Sequence, residues 1–218
     1  MEVFLPSFLT AFVTLFIVID PILVTPIFAS LTHTETPKKQ FQLALMASLI
    51  AAGMLGFFAF FGQAMLDGLH VSIDAFRTSG GLLLFLMGFQ MFFNPDGELE
   101  AKTPGPKASA RENVAFFPIA TPMLAGPGAI ATIMLLMAGN SEMNQTDIFL
   151  SRTAVISAML TVLSIGVVIM SFAGRIASAL GRTGMNLISR ILGMLLMAMS
   201  TQYIFDGIRV GMLEKVGG

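Results

Sequence analysis

Cysteine is absent from the sequence. That excludes disulfides, thiolate metal sites, iron–sulfur clusters and a dithiol relay through a membrane. Tryptophan is also absent and Tyr203 is the only tyrosine, so no aromatic belt marks where the chain would meet a membrane surface. Histidine is limited to His33 and His70, both in predicted loops, which leaves neither axial haem ligands inside a bundle nor a catalytic zinc set. Charge is scarce: Asp, Glu, Lys and Arg make up 11% of the residues, against about 25% in a soluble domain. No basic cluster points to nucleic acid, no Gly-rich loop with Lys points to ATP, and no Ser/His/Asp set can be assembled at membrane depth. The chain is therefore expected to be no enzyme, and to need no metal and no cofactor.

What is present is apolar. Hydrophobic residues are 55% of the chain and the mean hydropathy is +0.83, which reads as an integral membrane protein. Seventeen Met and twenty Phe supply packing and lipid-facing bulk. The start, Met1-Glu2-Val3-Phe4, has no basic region and no small-residue cleavage site, so the first apolar run predicts a retained span.

Apolar runs predict six spans, and the fold class is all-α and polytopic. The first covers 3–31, roughly 43 Å if continuous at about 1.5 Å per residue. A hydrocarbon core is about 30 Å thick, so a break near Asp20 falls inside it. Thr36-Pro37 opens the second span, which runs to about Met65, with Ala52 and Gly56 spaced for close approach of another helix. After a turn at Asp67-Gly68-Leu69-His70, Ser72 caps the third, which continues to Phe93. Residues 94–113, rich in Pro, Gly and alternating charge, form a cytoplasmic linker between a first repeat at 1–93 and a second at 114–218. The remaining spans cover 114–138, 148–172 and 185–205.

Two proline pairs break the first and fourth spans: Asp20-Pro21-Ile22-Leu23-Val24-Thr25-Pro26 and Thr121-Pro122-Met123-Leu124-Ala125-Gly126-Pro127. An interior proline removes a donor and clashes with the preceding turn, at a cost of about 3 kcal/mol. Unwound backbone at membrane depth is tolerated where it is buried in protein or lines a wet cavity. In the third span Arg77 precedes Gly80 by three residues, and in the sixth Arg190 precedes Gly193 likewise. These matches predict an internal repeat. Because each repeat has three crossings, the second is inverted, a plan whose substrate sites lie on broken helices near the midplane.

Asp20 is the acidic residue predicted deep in a span, a candidate for binding a proton, a sodium ion or a substrate ammonium; the alternative is a helix cap. Thr25-Pro26 and Gly126-Pro127-Gly128 resemble half-helix starts whose free N–H groups suit a carboxylate, with Thr25 and Thr121 adding hydroxyls. The binding set is thus Asp20, Pro21, Thr25, Pro26, Thr121, Pro122, Gly126, Pro127 and Gly128. Arg77 and Arg190 snorkel to opposite faces or act as gates, and Gln90 and Gln202 are expected to bond between helices. Seven Lys and Arg in the loops after spans one, three and five, against three opposite, place both termini outside the cytoplasm.

The segments 19–28 and 117–130, above all Phe117-Pro118-Ile119-Ala120-Thr121-Pro122-Met123-Leu124-Ala125-Gly126-Pro127-Gly128-Ala129-Ile130, resemble the MarC family, also called the small neutral amino acid transporter family. The resemblance covers essentially the whole chain; where members often carry Gly, this chain has Leu23. It implies a six-span inner-membrane protein akin to the LysE-like transporter group. It also implies partners in membrane lipid, a small amino acid such as glycine or alanine, and a proton or sodium gradient. An exporter of drugs or other small metabolites, a channel, and a non-transporting scaffold or sensor subunit are the competing readings.

Overall fold

In lipid, backbone N–H and C=O groups have no water to bond, and a helix satisfies them within one segment. The structure, a computed structural model that describes residues 3–32, 35–93, 124–138 and 144–216, is helical, with no strand among the described residues. Its elements are α1 (Phe4–Ile19), α2 (Pro21–Thr32), α3 (Pro37–Gly68), α4 (Ile73–Phe93), α5 (Pro127–Ala138), α6 (Gln145–Ser171) and α7 (Ala173–Val216). Helices α3, α4 and α6 and the stretch Thr183–Gly211 of α7 are each long and apolar enough to cross a membrane. The linker 94–113 and the fourth span up to Met123 lie outside the described residues.

Local chemistry sets the ends where the sequence predicts them. Thr36 caps α3 by accepting from the Lys39 N–H at 3.4 Å, with Pro37 at the first helical position. Ser72 accepts from the Ala75 N–H at 3.2 Å at the start of α4. Between them the chain reverses through His70, whose φ of 56° is left-handed. The last span departs from expectation. Helix resumes at Ala173, immediately after Phe172, and the only interruption is Gly181, where φ of 61° and ψ of 179° kink it. Glycine carries no Cβ to oppose that conformation. Beyond the kink, α7 continues eleven residues past the predicted end at Phe205.

Helix α6 is the hub, packed against α1, α2, α3 and α5. Small residues make that packing close: Ala44, Ala47 and Ala51 of α3 and Ala154 and Ala158 of α6 are fully buried. Helices α4 and α7 form an antiparallel pair with backbones in contact. A Cβ on Gly88 would lie 2.7 Å from the Gly193 carbonyl oxygen, and one on Gly81 would lie 2.9 Å from that of Ser200. Gly56 takes no part in such packing among the described residues, where a Cβ would meet nothing within 4 Å. Its spacing from Ala52 therefore marks no contact with a described helix. Along α1, the rings of Phe4, Phe8, Phe12 and Phe16 stack in succession, with centroids 6.2, 6.1 and 5.9 Å apart.

Candidate functional site

The predicted break in the first span is present at one residue. Pro21 offers no N–H to the carbonyl of Ile17, so the helical ladder cannot continue through it. Asp20 closes α1 by donating its N–H to the Phe16 carbonyl at 3.1 Å, and its own carbonyl accepts from Val24 at 3.3 Å. Between these bonds its backbone turns left-handed, with φ of 43° and ψ of 67°. Asp is one of the few residues with a side chain that adopts this conformation readily. Residue type and break are thus matched. The residue is also buried, at 5% exposed, in a stretch where Ile17, Val18, Ile19 and Val24 are buried too. A charge is buried only at a cost that its surroundings must offset.

Thr25, fully buried one turn into α2, donates its hydroxyl to the Pro21 carbonyl at 3.1 Å. Thr32 repeats the pattern at 2.7 Å on Phe28. Each oxygen keeps acceptor capacity after donating its proton. Pro26 lies within α2. Facing Pro21 across the interface is Gly166 of α6, where a Cβ would come within 3.6 Å of the proline ring. That is ordinary van der Waals distance, so α6 packs beside the break without depending on glycine, a contact that sequence spacing alone did not signal.

In the second break, Thr121 and Pro122 lie outside the described residues. From Leu124 on, Leu124, Ala125, Gly126 and Gly128 are buried and Pro127 is exposed. The Gly126 carbonyl accepts from the Ile130 N–H at 3.0 Å and so starts α5. A Cβ on Gly128 would stand 2.5 Å from Met87 Sδ and 3.1 Å from Leu84 Cδ2. The close approach that Gly128 permits here is that of α4. Helix α1 packs against α5, and α6 touches α1, α2 and α5.

Two polar features went unnoticed in the sequence. Thr132, one turn into α5 and 0% exposed, has a hydroxyl with no hydrogen-bond partner among the described residues. Neighbouring positions fix which way it faces: Ala131 meets Gly80 of α4 and Met134 meets Gly62 of α3, so Thr132 lies on the remaining side, where α5 borders α1 and α6. A threonine in a helix ordinarily donates to the carbonyl four residues back, which is why nothing in the sequence singles it out. The second feature joins three elements: Tyr203 of α7 is hydrogen-bonded to the buried Thr14 of α1, with Arg77 and Asp206 close by.

Arg77 is itself half-buried and pairs with Asp74 at 3.5 Å. Arg190 is exposed, so the two arginines stand in different surroundings. Gln202 donates to Asp206 Oδ1 at 3.0 Å within its own helix, not between helices, since residues four apart face each other along one side of a helix. Gln90 is exposed. A cavity of about 420 Å³ lies away from both breaks, between α3, α5 and α6.

Comparison with known proteins bears on the whole chain. A UPF0056 membrane protein of Methanocaldococcus jannaschii is 34% identical over 212 residues, covering 96% of this chain and 99% of the relative. One from Aquifex aeolicus is 32% identical, covering 96% and 95%. The UPF0056 membrane protein YhcE of Escherichia coli is 30% identical, covering 94% and 93%. No solved structure matches the chain. Residues 5–212 match the family described as MarC family integral membrane protein, and with apolar helices of spanning length and relatives matched nearly end to end, the chain belongs to that family.

Proposed function

We propose that this protein is a secondary active transporter of small neutral amino acids, glycine-like or alanine-like, working by alternating access between two inverted three-helix repeats. The observation that carries this reading is the break at Asp20, a buried carboxylate on left-handed backbone between two half-helices. Neither α1 at 16 residues nor α2 at 12 reaches across about 30 Å of hydrocarbon alone, and the two in tandem do. An ionisable group in such a place is retained for ions, protons or substrate.

The substrate carboxylate sits on the amino-terminal N–H groups of α2 and α5, where the helix dipole favours negative charge. Its ammonium takes Asp20, the residual acceptor capacity of Thr25, or unwound carbonyls near Gly126. Thr121 and Pro122 complete the second break, and the buried hydroxyl of Thr132 joins the set. Close packing of α6 on the first break limits the site to small side chains. Asp20 couples transport to a proton or sodium ion, Arg77 with Asp74 gates one face, and Arg190 serves the other. The protein resides in the inner membrane with both termini outside the cytoplasm.

Counterflow of labelled glycine and alanine into liposomes, with and without a proton or sodium gradient, tests the reading. Saturable exchange that responds to one gradient is expected. No exchange across the small neutral amino acids, from protein that remains folded, overturns it.

A further inference from the structure

The cavity between α3, α5 and α6 belongs to neither break. Its walls are Phe58, Phe60, Met134, Phe149 and Ile156, and its volume of about 420 Å³ falls in the ligand-pocket range of about 300–1,000 Å³. One cation enters it, Arg152 of α6, whose Nε donates to the Met137 carbonyl at 3.2 Å. That bond answers a carbonyl at the negative end of α5, which would otherwise repel an anion. It uses one of the five guanidinium N–H groups. Among the described residues no carboxylate lies within ion-pair distance of Arg152, since the one such pair is Arg77 with Asp74.

Position narrows the ligand. Met137 is next to last in α5, Arg152 lies two turns into α6, and Gln63 lies five residues before the end of α3, so the polar rim falls within about two turns of the helix ends. Phe58, Met134 and Ile156 lie further along the same helices, towards the middle. Phe60 and Phe149, 69% and 70% exposed, line the groove on its open surface. A guanidinium with free N–H groups near the end of a span matches a lipid phosphate, which it binds through two parallel charge-assisted bonds. We propose that this groove binds an anionic phospholipid, its phosphate on Arg152 and one acyl chain along Phe58, Met134 and Ile156. The loop charges put it in the outer leaflet. Since the groove is built partly on α5, its lipid bears on the helix that follows the second break. The site stands whether or not the protein carries amino acids.

Full-length protein is titrated with phosphatidylglycerol and with phosphatidylcholine and read by native mass spectrometry, with inorganic phosphate as competitor. Wild type is expected to prefer phosphatidylglycerol by about tenfold, the size of one charge-assisted contact. Arg152→Gln abolishes the preference, and Arg209→Gln, at an exposed arginine of α7, keeps it. Thr153→Trp fills the groove, leaves Arg152 in place and lowers binding of both lipids. A wild type without preference, a preference that survives Arg152→Gln, or displacement of the lipid by inorganic phosphate alone overturns the proposal. Should Arg152→Gln not fold, unchanged binding in Thr153→Trp does so.

Discussion

At Asp20 two demands fall on one residue: a left-handed backbone and a buried carboxylate. Substitutions separate them. Asn accepts the backbone and removes the charge, so Asp20→Asn should keep the melting temperature in detergent near wild type while transport no longer responds to the driving gradient. Ala opposes the conformation, and Asp20→Ala should also lose about 1–2 kcal/mol of stability. Equal melting temperatures for the two variants would mean that the backbone demand is unimportant. Thr132 offers the opposite test. A buried hydroxyl without a partner costs about 1–3 kcal/mol. Thr132→Val should therefore leave stability unchanged or raise it, while half-saturation in counterflow moves to higher amino acid concentration. A variant that loses stability and keeps its affinity would assign the hydroxyl a structural role.

At the scale of helices, glycine divides into two kinds that look the same in sequence. Gly88 meets the Gly193 backbone, so Gly88→Val should cost about 1–3 kcal/mol by overpacking. Gly56 faces open space, so Gly56→Ala should gain up to about 1 kcal/mol of helix propensity. Thermal unfolding of both variants in one detergent checks the contrast. The same division explains what could be read in advance. The caps at Thr36 and Ser72 and the break at Asp20-Pro21 depend on residues within one turn of each other, so the chain displays them directly. Whether a glycine meets a helix or lipid depends on a partner far away in sequence, as Gly166 on Pro21 does. No local pattern encodes that. The stretch 173–184, left between the fifth and sixth predicted spans, is helical, and the chain does not display it for a related reason: with several glycines and two arginines, a kinked helix and a loop have similar composition.

For the molecule as a whole, the proposed topology rests on charge counting and is open to direct test because the chain has no cysteine. Under that proposal, single cysteines at Leu69 and Ser178, both exposed, report opposite sides of the membrane. In intact cells a membrane-impermeant maleimide should label Leu69→Cys, whereas Ser178→Cys should react only after permeabilisation. The reverse pattern would invert the orientation and move the lipid groove to the inner leaflet.

The aromatic ladder on α1 has a mechanical corollary. Four stacked rings brace the segment before Asp20, and among the described residues no ring pair braces α2 after it. The ladder stops one turn short of the join, and beyond it the chain is held by burial instead, with Val24, Thr25 and Phe28 all enclosed.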